Sequence, residues 1–286
     1  MPTAQLGNVE IYYEEKGQGE AVLLVPPSWW PSDTWKVVVV PFLSQHYKTI
    51  IFDCRGAGRS SKPKHGYTVS QFAQDCLALL AHLGISRCHA VGYALGGQIV
   101  QAMAIEQPDL VATATIAGAG PGSRTLSGGP RDLSPDTERL IRELGFEKYI
   151  RSHVDNVGMA FSPLFYREHR DLAAALSDAL WSGQTTVEQF CYHEIARLTW
   201  DTLAKAAEVK VPTLVLCGED DDVNRRGSTP VGTARKLGEL APGAEVALIP
   251  GVKHMTFWDG TRALSALQNF LAHHPINTPS PSASFS

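Results

Sequence analysis

No two cysteines in this chain are spaced C-x-x-C. The five that occur, at positions 54, 76, 88, 191 and 217, are scattered and mostly lie inside apolar runs. That argues against a zinc site or a disulfide framework and suits reduced thiols in a core. A basic stripe is also missing. Lys and Arg number 25 against 29 Asp and Glu, for a net charge of −4, so nothing tracks a phosphate backbone and nucleic acid is not an expected partner. No apolar run is long enough to span a bilayer, and the first residues lack a basic segment followed by a long apolar core. Neither a membrane span nor a signal peptide is expected, and a soluble, intracellular (cytoplasmic) chain is.

What is present is a regular alternation of elements. At 286 residues the chain can form one large α/β domain or two smaller ones, each with an ample core. Val9 to Glu14 alternates and is β-rich, as an antiparallel edge strand would. Ala21 to Val25, Lys48 to Phe52, Cys88 to Tyr93, Ala112 to Ala117, Thr213 to Cys217 and Glu245 to Ile249 read as further strands. Thr68 or Ser70 caps a helix through Leu83, whose apolar positions Phe72, Cys76, Leu79, Leu80 and Leu83 recur at helical spacing. Gln98 to Gln107, Val231 to Leu240 and Arg262 to Leu271 read as helices too. Strand and helix in this rhythm imply a mostly parallel sheet with helices on both faces. From 123 to 205 the chain turns helical and aromatic, with helices expected over 139–150, 171–181 and 186–198. Past Pro275 it is Ser/Pro-rich with little to bury, and residues 276–286 are expected to be disordered.

The chain is organised around Gly92-Tyr93-Ala94-Leu95-Gly96, where a buried strand turns into a helix. Small residues either side of position 94 let strand and helix backbones pass closely. The segment resembles the nucleophile elbow Gly-x-Ser-x-Gly of the α/β-hydrolase fold, with alanine in the serine position. Asp53-Cys54-Arg55-Gly56-Ala57-Gly58-Arg59-Ser60 is similar to a turn common in that fold, and Asp53 and Arg55 read as structural. The resemblance implies a core of residues 1–122 and 206–275 with a helical cap over 123–205. It also implies Asp221 as the acid, from Gly218-Glu219-Asp220-Asp221, and His254 as the histidine, from Gly251-Val252-Lys253-His254. Asp220 or Asp222 takes the acid's place if the register slips by one.

In that family the histidine takes the nucleophile's proton and the aspartate holds its tautomer. The backbone N–H of Leu95, at the start of the elbow helix, corresponds to one oxyanion donor. Where the family has His-Gly this chain has Pro26-Pro27, and Ser28 inherits the other donor's place; Pro27 has no N–H to offer. Trp29, Trp30, Tyr93, Phe165, Trp181 and Trp258 are expected around an apolar pocket for a small-molecule substrate, an ester, lactone or amide. No metal or cofactor is expected, and the oligomeric state is left open.

Alanine has no lone pair with which to attack. Two readings follow. In one, the chain is a serine hydrolase carrying a nucleophile knock-out and holding substrate unhydrolysed. In the other, alanine is native, as in proteins resembling the aminoacrylate hydrolases of pyrimidine breakdown, which carry Gly-x-Ala-Leu-Gly. His254 and Asp221 then activate water directly, or the protein only binds a ligand. Lactonases of zearalenone also lack His-Gly, but place their acid after the preceding strand, where this chain has Ala117-Gly118-Ala119-Gly120. Haloalkane and epoxide chemistry would require a carboxylate at position 94.

Overall fold

The computed structural model describes residues 2–119, 143, 145, 148, 161–183, 185–221 and 230–276. Its strands are β1 (Thr3–Leu6), β2 (Val9–Lys16), β3 (Ala21–Val25), β4 (Lys48–Phe52), β5 (Cys88–Tyr93), β6 (Val111–Ala117), β7 (Thr213–Gly218) and β8 (Glu245–Ile249). They form one sheet in the order β1-β2-β4-β3-β5-β6-β7-β8. β1 and β2 are antiparallel, as are β2 and β4; every other pairing is parallel. β2 is therefore not the edge strand that its alternation suggests. The four-residue β1 pairs along its outer side, from Thr3 opposite Tyr12 to Leu6 opposite Val9.

β3, β5, β6 and β7 are buried at every residue, as strands covered on both faces must be. Alternate side chains serve two cores. Leu23 and Val25 point with Ile50, Phe52 and Ala90 toward helices Val69–His82 and Leu95–Glu106. Val22 and Leu24 point with Ile51, Val91 and Leu216 toward Trp35, Leu43 and helix Arg262–His273. Thr68, not Ser70, caps the first of these helices, its hydroxyl accepting from Gln71 N–H at 3.1 Å.

Between β6 and β7 the described chain is helical: Pro163–Glu168, Arg170–Trp181, Val187–Thr199 and Thr202–Lys205. Thr186 closes a capping box with Gln189 at the head of the third. The helix expected over 139–150 lies, apart from residues 143, 145 and 148, outside the described residues, as does the tail from 277. No helix among the described residues is long and apolar enough to cross a membrane.

Candidate active site

The elbow is built as its glycines require. A Cβ on Gly92 would lie 2.0 Å from Gly96 O, and one on Gly96 would lie 2.1 Å from Val25 O, so neither position accepts a side chain. Between them Ala94 has φ 52° and ψ −114°, a backbone that L residues with a Cβ avoid at a cost of about 1–3 kcal/mol. Ala94 N–H donates to Ala117 O at 2.9 Å, tying the turn to the neighbouring strand. The helix begins at Leu95, three residues before the expected start at Gln98, because Gly96 and Gly97 form its first turn instead of breaking the chain. Leu95 N–H is one of the helix's first donors, and no acceptor reaches it among the described residues.

Gly96 sits against the carbonyls of Val25 and Pro26, which brings the loop after β3 alongside the helix start. Ser28 is buried there, and neither its hydroxyl nor its N–H finds a partner among the described residues. Trp29 adopts φ 54°, and its N–H is taken, donating to His193 Nδ1 at 2.9 Å. Of these two adjacent amides, only Ser28's is left to bind a ligand oxygen.

The acid and histidine meet because their loops leave adjacent parallel strands in register, Gly218 opposite Ile249. Gly218 allows the close pass: a Cβ there would lie 2.3 Å from the carbonyls of both Val252 and Lys253. Glu219 N–H then donates to Ile249 O at 2.9 Å and Asp220 N–H to Val252 O at 3.0 Å, zipping the loops together. Asp221 is buried and its Oδ2 lies 2.8 Å from His254 Nδ1. The carboxylate can only accept, so Nδ1 is the donor, and in the neutral imidazole Nε2 then presents a lone pair. Asp220 is exposed, and Asp222 lies outside the described residues.

The expected pocket aromatics fall into different surroundings. Trp30 is partly exposed, with its ring 5.6 Å from Trp258 and 6.4 Å from Tyr93. Trp29 packs against Phe190. Tyr93 and Trp258 are buried behind the site. The Tyr93 hydroxyl donates to His254 O, and the Trp258 indole donates to Thr34 O while stacking on Trp35. Phe165 stacks with Phe161, and Trp181 packs against the cluster of Trp29, Leu180 and Phe190, both at partly exposed positions.

Asp53 and Arg55 hold the loops in place. Asp53 accepts from Ser32 N–H and hydroxyl and from Arg59 N–H, all within 2.7 Å. Arg55 makes a buried two-pronged pair with Asp75.

Three residues with no sequence signal also shape the site. Asp259 accepts from Ser162 N–H at 2.7 Å, and so fastens the start of the described helices to the histidine loop. Asp75, the partner of Arg55, is the second. His193 is the third: fully buried between the rings of Phe72 and Tyr67, it accepts from Trp29 and donates through Nε2 to Arg55 O at 2.8 Å.

Burial pushes the His193 imidazole down from 6.5 to about 4. Between those two values the unfolded chain binds a proton that the folded chain refuses, so falling pH favours unfolding. The loss reaches about 3 kcal/mol at pH 4. His89 is also lowered by burial and acts in the same direction. Across pH 6.5 to 4, the melting temperature of His193→Asn is expected to fall less steeply than that of the parent chain. Parallel curves in calorimetry would remove His193 from the acid sensitivity.

Open parallel sheets carry their chemistry outside the carboxyl ends of the strands, and the elbow, acid loop and histidine loop all leave from that end. This is the architecture of α/β hydrolases. The chain belongs to the alpha/beta hydrolase fold family, whose model matches residues 27–261. A non-haem haloperoxidase of Rhodococcus erythropolis is 27% identical over 254 residues, covering 86% of this chain and 89% of that protein. A protein of Azorhizobium caulinodans provisionally named carbamate hydrolase RutD is 25% identical over 260 residues, covering 89% and 91%. The solved structure of Est816, described as an N-acyl homoserine lactone degrading enzyme, matches with a TM-score of 0.76 at 25% identity, over 96% of this chain and all of that one.

Proposed function

We propose that the protein is a hydrolase in which His254, oriented by Asp221, activates water for direct attack on a small carbonyl substrate. The observation that carries this reading is the pairing of a histidine, whose Nε2 is free of any described partner, with an elbow that presents only a methyl group. Nε2 takes a proton from water as its oxygen bonds to the carbonyl carbon. The oxyanion lies between the N–H groups of Ser28 and Leu95, and the imidazolium then protonates the leaving group as its bond to carbon breaks. An ester, lactone, carbamate or amide with an apolar group suits the aromatic surroundings, and the resemblance to a provisionally named carbamate hydrolase points the same way.

A second reading keeps the same acid, base and oxyanion groups but assigns them to an acyl-enzyme route. The chain is then a serine hydrolase lacking its nucleophile. The observation favouring it is the strained φ at Ala94, a geometry that serves to hold out an attacking hydroxyl.

Turnover of an aryl acetate, a small lactone and an aryl carbamate tests the first reading. The parent chain is expected to hydrolyse at least one of them without a burst, and His254→Ala to lower that rate by about 10²–10⁴-fold. Equal rates in parent and variant would sink the proposal.

A further inference from the structure

We propose that His193 is a positioning residue for oxyanion binding, fixing the aim of Ser28 N–H through the peptide that follows it. The inference rests on the reading of Ser28 given above and goes beyond it, because His193 belongs to helix Val187–Thr199, far from the catalytic motifs in sequence.

Two constraints meet at Ser28. Upstream, Pro26 and Pro27 each have a φ fixed by their ring. Downstream, the peptide joining Ser28 to Trp29 is held at both ends. Its carbonyl accepts from Trp30 N–H at 2.7 Å, and its N–H donates to His193 Nδ1 at 2.9 Å. Trp29 O receives the Thr185 hydroxyl at 3.3 Å, and the Trp29 ring packs 6.0 Å from Phe190 on the His193 helix. His193 cannot turn away, because its Nε2 is anchored on Arg55 O at 2.8 Å and its ring is fully buried. Arg55 is itself fixed by Asp75. A rigid line thus runs from the buried Arg55–Asp75 pair through the imidazole to the loop. With the acceptor removed, a buried N–H is left without a partner, and the peptide is expected to rotate to find one. That rotation changes ψ of Ser28 and φ of Trp29, and the Ser28 N–H, which belongs to the preceding peptide, loses its aim as the Ser28 Cα moves with the resettling loop.

Two near-isosteric variants separate positioning from bulk stability. In His193→Asn the amide oxygen stands near the place of Nδ1 and can still accept from Trp29. In His193→Gln the amide nitrogen stands near Nε2 and keeps the Arg55 contact, while Trp29 loses its acceptor. Three readouts are compared with the parent: hydrogen exchange of the Trp29 amide, affinity for phenylphosphonate as a tetrahedral anion, and kcat and KM for an aryl acetate with serine at position 94.

His193→Gln is expected to speed Trp29 exchange and weaken phenylphosphonate binding. It should also lower kcat by at least ~10-fold with little change in KM, since a misplaced oxyanion donor acts on the transition state. His193→Asn is expected to stay close to the parent in all three. Equal behaviour of the two variants, or unchanged Trp29 exchange in His193→Gln, would overturn the proposal. If the ester is not hydrolysed in any background, the hydrolase reading fails. Amide exchange and phosphonate affinity then decide the role of His193 by themselves.

Discussion

Replacing Ala94 by serine is expected to raise kcat/KM for an activated aryl ester by ~10³-fold or more and to place a burst before the steady state. Removing the nucleophile from a complete triad costs on the order of 10⁶ in kcat, so restoring one to a built site recovers a large part of that factor. The site is ready for it. Position 94 already has the positive φ of a nucleophile elbow, and His254 Nδ1 is already held by Asp221. The new hydroxyl would give its proton to His254 Nε2 as its oxygen bonds to the carbonyl, and the burst reports the acyl-enzyme that accumulates when deacylation is slow. His254→Ala in the same background should erase it. If Ala94→Ser shows no burst and hydrolyses ester more slowly than the alanine chain, the elbow is not aimed at a carbonyl and the acyl-enzyme reading fails. A single-histidine pH profile for the parent would then leave the water mechanism as the better account.

The second large effect is expected at the acid. With serine at position 94, Asp221→Asn should lower kcat by roughly 10⁴-fold, because an amide can donate to Nδ1 and stabilise the wrong tautomer. Asp220→Asn should leave kcat unchanged, since that side chain is exposed and, among the described residues, only its backbone N–H is engaged, with Val252 O. Rates measured under saturating substrate decide between them. A damaging Asp220→Asn beside a silent Asp221→Asn would mean that the hydrogen bond seen to His254 is not the one used in catalysis.

The sequence is most legible where periodicity and local chemistry agree. The continuous apolar run of β3 and the mostly apolar, Thr-containing β4, β6 and β7 read as buried strands because both of their faces are covered. Asp221 and His254 are legible in the sequence only through the resemblance of Gly218–Asp221 and Gly251–His254 to family motifs; what brings them together is that their loops leave neighbouring parallel strands. β1 is not legible in the sequence, because only Ala4 of its four residues is buried and no alternation results. The first turn of the elbow helix, Leu95 to Gly97, carries no helical signal in sequence because its two glycines have poor helix propensity; Gly96 is there for close contact with the Val25 carbonyl. His193 and Asp259 carry no local signal. Their partners, Trp29 and Ser162, are 164 and 97 residues away, and a single buried polar side chain looks in sequence like any other.

The left-handed φ of Ala94 also bears on how this site can change over generations. Most positions that gain a catalytic group need several coordinated substitutions, because the backbone must first learn an unfavourable shape. Here that shape is already held by Gly92, Gly96 and the Ala94–Ala117 hydrogen bond, with no hydroxyl to use it. Any alanine codon becomes a serine codon by one G-to-T change at its first base. The two proposed chemistries, water activation and the acyl-enzyme route, would therefore be separated by one nucleotide on an unchanged scaffold. A lineage carrying this chain can cross between them without passing through an unfolded or misassembled intermediate.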